Sequence, residues 1–312
     1  MKFDDSDQAD ASQVEDRRGA RFPGGRLGAG VGGLGLVGGA IYVVLQLLAS
    51  GGNQTAGQLG RIIEQTQRGS RSVDDTTPTA PGTTGAPSQL AGSCRGVDSV
   101  NDPAKFIVCV ESSVQSFWRH ELAQGNAPYR PAKLVLFTEA TESECGTASA
   151  QTGPFYCPPD GRVYLDLDFF RELQQRFHAR GGDFAQAYVI AHEYGHRVQD
   201  LLGTERRMRE MQRQRPDQRG PLSVRLELQA DCYAGVWGHA AYDQGKVTRA
   251  EIAEALDAAA AVGDDRIQAA TRGRVNPETF THGSAASRQK WFTTGMQTGD
   301  PTRCDTFGAA EL

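Results

Sequence analysis

The sequence has no excess of basic charge. Its 33 Lys and Arg face 38 Asp and Glu, and a formal net charge of −5 gives the protein no reason to bind nucleic acid. It has no internal repeat and no C-x-x-C pair, which removes repeat arrays and the common cysteine-based zinc sites from consideration. Hydrophobic residues are scarce at 38%. The 37 glycines, many within the first hundred positions, argue that part of the chain is not a packed domain. The 312 residues leave room for one large domain or two small ones.

The first quarter reads as three pieces. Residues 1–26 are polar, with Asp4, Asp5, Asp7 and Asp10 early and Arg17, Arg18, Arg21 and Arg26 late. Residues 27–49 contain no charge, and such a length at about 1.5 Å per residue can cross a hydrocarbon core of about 30 Å. A Gly-rich linker is the competing reading, which the dense apolar run Ile41–Leu48 disfavours. The expectation is therefore a cytoplasmic polar tail (1–26), one transmembrane helix (27–50), a disordered Gly/Thr/Pro linker (51–91) and a folded domain (92–312). The arginines ahead of the span predict a single-pass protein of the cell membrane, its N-terminus cytoplasmic and its domain extracytoplasmic. A cleaved signal peptide fits less well, because the leading segment is long and acidic.

All six cysteines lie beyond residue 50, and an even count in an exported region favours disulfides. Six cysteines allow fifteen connectivities. The preferred pairs are Cys145–Cys157, then Cys232–Cys304, leaving Cys94–Cys109.

Helical spacing runs over Pro103–Gln124, and strands are predicted at 133–140 and 162–170. A helix over 168–180 stops at Gly181-Gly182, and Asp183 is expected to cap a further helix that ends at Gly203. Residues 204–220, rich in Arg and Gln, read mostly as a solvated mobile segment. Helices follow over 223–245, from a Thr248/Glu251 capping box to Val262, and over 284–296. Few strands among many helices predict an α+β domain, mainly helical with a small β-sheet. The strand at 162–168 is read as an edge on which an extended peptide could pair.

The stretch VIAHEYGHRVQD supplies the chemistry. His192 and His196 are i and i+4 on one helix face and can grip one ion, whereas Glu193 is turned about 100° away and can serve a metal-bound water. That is the division of labour in zinc peptidases. The competing reading is a surface helix with spare histidines, which apolar Val189, Ile190 and Ala191 disfavour. A third ligand is required. Thirty-one residues on, LELQADCYAG places Glu227 and Asp231 one turn apart in apolar surroundings, where two carboxylates resist ionising without a cation. Glu227 is assigned to one zinc ion per chain, and Asp231 to the second ring N–H of a ligand histidine, His192 by preference.

With AHEYGHRVQD, LELQADCYAGVW, FTHGSAASRQKWFTTGMQTGDP and YCPPDGRVYLDLDFF in view, residues 92–312 resemble the bacterial neutral zinc metallopeptidases. More distantly, H-E-x-x-H followed by E-x-x-A-D resembles the gluzincin branch. The resemblance implies a zincin-like fold, a membrane anchor and peptide-bond hydrolysis. Those relatives carry T-H-P-P-x-x-x-R; here Thr281, His282 and Arg288 match while Gly283-Ser284 replace the prolines. By that pattern His282 would be catalytic, stabilising charge on the substrate oxygen, and Arg288 would orient substrate or pair with a site carboxylate.

The expected activity is that of a membrane-anchored zinc metalloendopeptidase acting on a peptide or protein substrate through a zinc-bound water, with Glu193 as general base. Tyr233 is a further candidate for the oxyanion. Two alternatives stand beside it: a catalytically silent zinc-containing binding module, or a zinc hydrolase of a non-peptide bond in the cell envelope. His120, His178 and His239 have no motif around them and are read as ordinary histidines.

Overall fold

A single antiparallel excursion in an otherwise parallel sheet sets the frame on which the helices pack. The computed structural model describes residues 1–20, 89–125, 127–149, 152–171 and 182–312. Its largest sheet has the order β2-β4-β8-β7, built from Val14–Asp16, Lys133–Phe137, Arg162–Asp166 and Phe155–Cys157. β4 runs parallel to both β2 and β8, and β7 returns antiparallel along β8. Side chains alternate across β4, as the two-residue period of a strand requires. Leu134 and Leu136 join the main core, while Val135 and Phe137 meet Phe155, Cys157 and Tyr164 on the other face.

Two smaller ribbons flank the sheet. β1 (Gln8–Ala9) pairs with β3 (Gly92–Ser93), and β5 (Ala140–Ser143) forms a hairpin with β6 (Gly146–Ser149). Glu139, at φ 69°, breaks the expected strand 133–140 into β4 and β5. Three disulfides staple the fold: Cys94–Cys109, Cys145–Cys157 and Cys232–Cys304. These are the preferred pairs, and no described cysteine is free.

Helix α1 (Pro103–Gln124) starts where Asp102 accepts from the Lys105 amide and lays Phe106, Val110, Val114 and Trp118 into the core. The remaining helices are α2 (Asp183–Leu201), α3 (Thr204–Gln214), α4 (Arg219–Asp243), α5 (Arg249–Ala261), α6 (Asp264–Arg272) and α7 (Ala285–Thr298). α5 has the expected capping box of Thr248 and Glu251. α4 and α7 touch backbone to backbone. A Cβ on Gly295 would fall 2.0 Å from the Cys232 carbonyl oxygen, and one on Gly235 would fall 2.2 Å from that of Phe292. Glycine inside a helix costs about 1 kcal/mol relative to alanine, and here close approach is what it permits.

Several expectations need correction. The fold class included a transmembrane helix and linker ahead of the domain; among the described residues no helix is long and apolar enough to cross a membrane. Residues 27–49, on which the span was placed, lie outside the described residues, as do most of the linker and the helix expected over 168–180. Lack of charge was the main argument for the span, yet that stretch carries seven glycines, which weaken both helix propensity and hydropathy. The polar tail is also corrected over residues 1–20. Met1, Phe3, Ala9, Ala11 and Val14 are buried, and β2 is a strand of the central sheet. Its charges have partners within the fold: Arg17 donates to Thr141 Oγ1 at 2.9 Å, and Lys246 reaches Asp7 at 2.6 Å. Such alternation between sparse apolar residues and acids reads as solvated tail unless the partner strand is known.

The Arg-rich stretch 204–220 is largely helical: its arginines are solvent-exposed, as read, while α3 buries Met208 against Leu222 and Leu226 of α4. Asp183 is the first residue of α2, not its cap, and accepts from Ser99 instead. β8 is internal to the sheet, so the edge assigned to 162–168 belongs to β7.

Candidate metal centre

Helices α2 and α4 meet with almost nothing between them. A Cβ on Gly195 would lie 3.1 Å from the Cα and carbonyl oxygen of Ala230, so the glycine inside HEYGH lets the two backbones close. That contact brings the histidine face of α2 onto the acidic face of α4. His192, His196 and Glu227 each offer a ligand atom within 4.8 Å of the others, and all three are buried.

The spacing suits a small tetrahedral ion. His192 Nε2 lies 3.3 Å from Glu227 Oε2, and His196 Nε2 lies 3.7 Å from Glu227 Oε1. A zinc ion with bonds of about 2.0–2.1 Å separates its ligand atoms by about 3.4 Å. The imidazoles stand perpendicular, with centroids 4.8 Å apart, so their Nε2 atoms approach from different directions. Both Nδ1 atoms are engaged elsewhere: His192 with Asp231 at 2.8 Å, His196 with Gln199 at 2.8 Å. The donor set, two imidazole nitrogens and a carboxylate, fits zinc.

The electrostatics call for a cation. Burial opposes protonation of His192, yet Asp231 and Glu227 outweigh it and raise the imidazole to about 10. Burial pushes the Glu227 carboxyl up, and His196, His192 and His282 overcome this and hold it well below the usual range. Asp231 is likewise opposed by burial but brought down to about 2 by Arg288 and His192. Arg288 grips it with two hydrogen bonds of 2.8 Å, from Nε to Oδ2 and from Nη2 to Oδ1. Tyr188 completes the cluster, donating to Asp231 at 2.6 Å and accepting from Arg288 at 3.0 Å.

Glu193 stands apart from the three. Its Oε2 accepts from the Tyr156 amide, on edge strand β7, at 2.9 Å. Burial raises its pKa, partly offset by His192 and His196. Strand β7 is itself pinned to α2: Tyr156 donates to Asp200 at 2.7 Å, and Arg197 donates to the Tyr156 hydroxyl at 2.9 Å.

His282 sits in the turn before α7, close enough to Glu227 for a charge on it to lower that carboxyl. Asp264, the first residue of α6, builds the turn. Its Oδ2 accepts from the amides of Thr281, His282 and Gly283 at 2.7, 2.6 and 2.9 Å, and its Oδ1 lies 3.3 Å from His282 Nδ1. The departure at Gly283-Ser284 has a local explanation. Gly283 has φ +94°, which proline cannot adopt, and Ser284 caps α7 by accepting from the Ser287 amide.

Of the residues singled out from sequence, His192, Glu193, His196, Glu227, Asp231 and Arg288 come together, with His282 beside them. Arg288 is committed to Asp231, the second of the two roles considered for it. Tyr233 does not join them. It lies six residues past Glu227 on another face of α4, with its ring edge-on to Trp118 and its hydroxyl pushed by burial up to about 12. Gln199, Gln229, Tyr188 and Asp264 were missed. Gln199 and Tyr188 are i+3 and i−4 to the histidines they serve, a spacing that could have disclosed them. Asp264 and the Tyr156 amide carry no local signal.

The family described as "Putative neutral zinc metallopeptidase" matches residues 1–307. The chain is 44% identical over 227 residues to YpfJ of Escherichia coli K12, covering 72% of this chain and 79% of that one. It is 47% identical over 238 residues to Rv2575 of Mycobacterium tuberculosis H37Rv, covering 73% and 78%, and the Mycobacterium bovis protein Mb2605 gives the same figures. All three relatives are described as uncharacterized. No solved structure matches.

Proposed function

The chain belongs to the neutral zinc metallopeptidase family, and from that premise we propose that it is a zinc-dependent endopeptidase with Glu193 as its general base. The observation that carries the reading is a carboxylate beside the candidate ligands that is not one of them. Glu193 is buried, turned toward the sheet edge, and held by the Tyr156 amide. A silent zinc module has no use for such a group.

His192, His196 and Glu227 would hold the ion. Zinc supplies polarisation of the scissile carbonyl and of the attacking water. The chain's own groups do the rest. Glu193, its pKa raised by burial, takes the proton of the attacking water and passes it to the leaving amine, which needs a carboxyl that is basic enough for both steps. His282, steadied by Asp264, donates to the carbonyl oxygen as negative charge develops there. Asp231 and Arg288 hold the His192 ring in place without touching substrate. An extended substrate segment would run beside β7, the edge strand that meets Glu193, which makes side-chain selectivity modest.

We also propose that the protein works outside the cytoplasm. Three disulfides support this, since such bonds persist in oxidising compartments. Peptide mapping of natively produced protein, with free thiols blocked at lysis, should recover all three pairs; free thiols throughout would sink the assignment.

The test of activity is cleavage of an unfolded protein such as reduced casein by the purified chain, with zinc measured per mole of protein. Cleavage should be lost on chelation and restored by zinc. Full zinc loading with no hydrolysis of any unfolded protein would favour the silent module.

A further inference from the structure

The two histidines of the centre differ in what stands behind them. The group bonded to His196 Nδ1 is not a carboxylate but the first of a run of neutral amides. His196 Nδ1 lies 2.8 Å from Gln199 Oε1. Gln199 Nε2 donates to the Leu226 carbonyl at 2.7 Å and to Gln229 Oε1 at 3.1 Å, and Gln229 Nε2 donates to the Cys304 carbonyl at 2.9 Å. Gln199 is fully buried and Gln229 nearly so.

Carbonyl oxygens at Leu226 and Cys304 fix the direction of the chain. A carbonyl can only accept, so each amide must turn its nitrogen toward that carbonyl and its oxygen toward the histidine. The oxygen facing His196 can only accept, so Nδ1 carries the proton and the Nε2 lone pair points at Glu227. Leu226 immediately precedes Glu227, so Gln199 ties one ligand's ring to the backbone of another. The far end is anchored as well. Cys304 is disulfide-bonded to Cys232 on α4, and Thr306 donates to the Arg225 carbonyl at 2.6 Å.

We propose that Gln199 and Gln229 are positioning residues for the metal centre: a directional amide relay, anchored by the Cys232–Cys304 disulfide, that holds His196 in the tautomer able to bind zinc through Nε2. The proposal rests on the zinc reading of the site. It extends the functional unit from the two ligand helices to the C-terminal segment 301–306, which offers no atom to the group of candidate ligands.

The test is zinc affinity by chelator competition on the full chain, together with the His196 tautomer by long-range proton–nitrogen NMR and thermal unfolding of the metal-free protein. Gln199→Met should lower zinc affinity by about 10- to 100-fold and let the tautomer mix. Gln229→Met touches no ligand side chain. It should still lower affinity, by about threefold or more, because Gln199 loses the amide oxygen that helps orient it. Should Gln199→Met fail to fold, the Gln229 variant decides. Unchanged affinity and tautomer in all variants, with only the unfolding temperature lowered, would reduce the relay to packing and overturn the proposal. A wild-type protein that takes up no zinc would overturn the metallopeptidase reading first, and the relay with it.

Discussion

The two flanks of the centre do the same job by opposite means. His192 is backed by a buried ion pair, Asp231 with Arg288, and His196 by neutral amides that end on a backbone carbonyl. Both fix a ring and leave Nε2 facing Glu227. The charged flank gives the stronger hydrogen bond and raises ligand basicity, but it puts two ions where neither can be hydrated. The neutral flank carries no such liability and holds its direction through connectivity. One flank is therefore sensitive to charge and pH, and the other to geometry.

The largest effect should come from a change that spares both flanks. Glu193→Gln keeps His192, His196 and Glu227 together while removing the base, so turnover of unfolded protein should fall by about 10²–10⁴-fold with zinc content unchanged. Glu227→Gln should do the reverse and lose zinc, since a neutral amide is a poorer ligand for the dication. Zinc per protein after dialysis against a weak chelator, measured beside cleavage, separates them. An active Glu193→Gln variant would remove the hydrolytic mechanism.

Next comes the charged flank itself. Arg288→Met leaves Asp231 buried without its guanidinium and should cost about 3–5 kcal/mol in denaturant unfolding of the metal-free protein. A neutral deletion on the other side, Gln199→Met, should cost about 1–3 kcal/mol, the penalty for an unsatisfied buried polar group. Equal losses at the two positions would erase the distinction between the flanks.

Acid should tell the flanks apart again. The Asp231 carboxyl is brought from its ordinary value of 3.8 to about 2. A depressed carboxyl contributes stability that is present above its unfolded pKa and lost as pH falls through the folded one. Asp231 should thus supply about 2 kcal/mol near neutrality, disappearing between about pH 4 and pH 2. Removing Arg288 should flatten that limb of the stability profile, whereas removing Gln199 should leave its slope alone. A profile unchanged in Arg288→Met would mean that His192, not Arg288, holds the carboxylate down.

Much of this centre was legible because helices write their contacts at short range. His192 to His196, Glu227 to Asp231 and Thr248 to Glu251 are pairs three or four apart, and each lies where helical spacing puts it. The capping box was legible for the same reason, and the Cys145–Cys157 pair because the two cysteines bracket a short loop. What escaped reading was long-range. Nothing near Val14 announces that it pairs with Leu134, and nothing near Asp264 announces that it will gather three amides of residues 281–283. The same blindness produced the expected tail: residues 1–20 look solvated until strand β4 is placed beside them. Tyr233 failed for a local reason. Six residues from Glu227 is not a helical repeat, and a tyrosine near a motif in sequence was taken for one near it in space.

The smallest expected change in stability tests the seam between the flanks. Gly195 sits inside the histidine motif, where a methyl group would press on the backbone of Ala230 at 3.1 Å and on its Cβ at 3.3 Å. Two effects oppose each other in Gly195→Ala. Alanine favours the helix by about 1 kcal/mol. Against that, α2 and α4 must part by a few tenths of an ångström, which loosens packing by a comparable amount. Net stability of the metal-free protein should therefore change by less than about 1 kcal/mol in either direction. Zinc affinity should not enjoy the same cancellation. The separation moves His192 and His196 on one helix away from Glu227 on the other, and helix propensity has no bearing on that distance. Weaker zinc binding with near-normal unfolding is the expected pair of results. Should zinc affinity be untouched while stability falls by several kcal/mol, the close approach at Gly195 would serve packing alone, and the two flanks would be holding the site together without help from the seam.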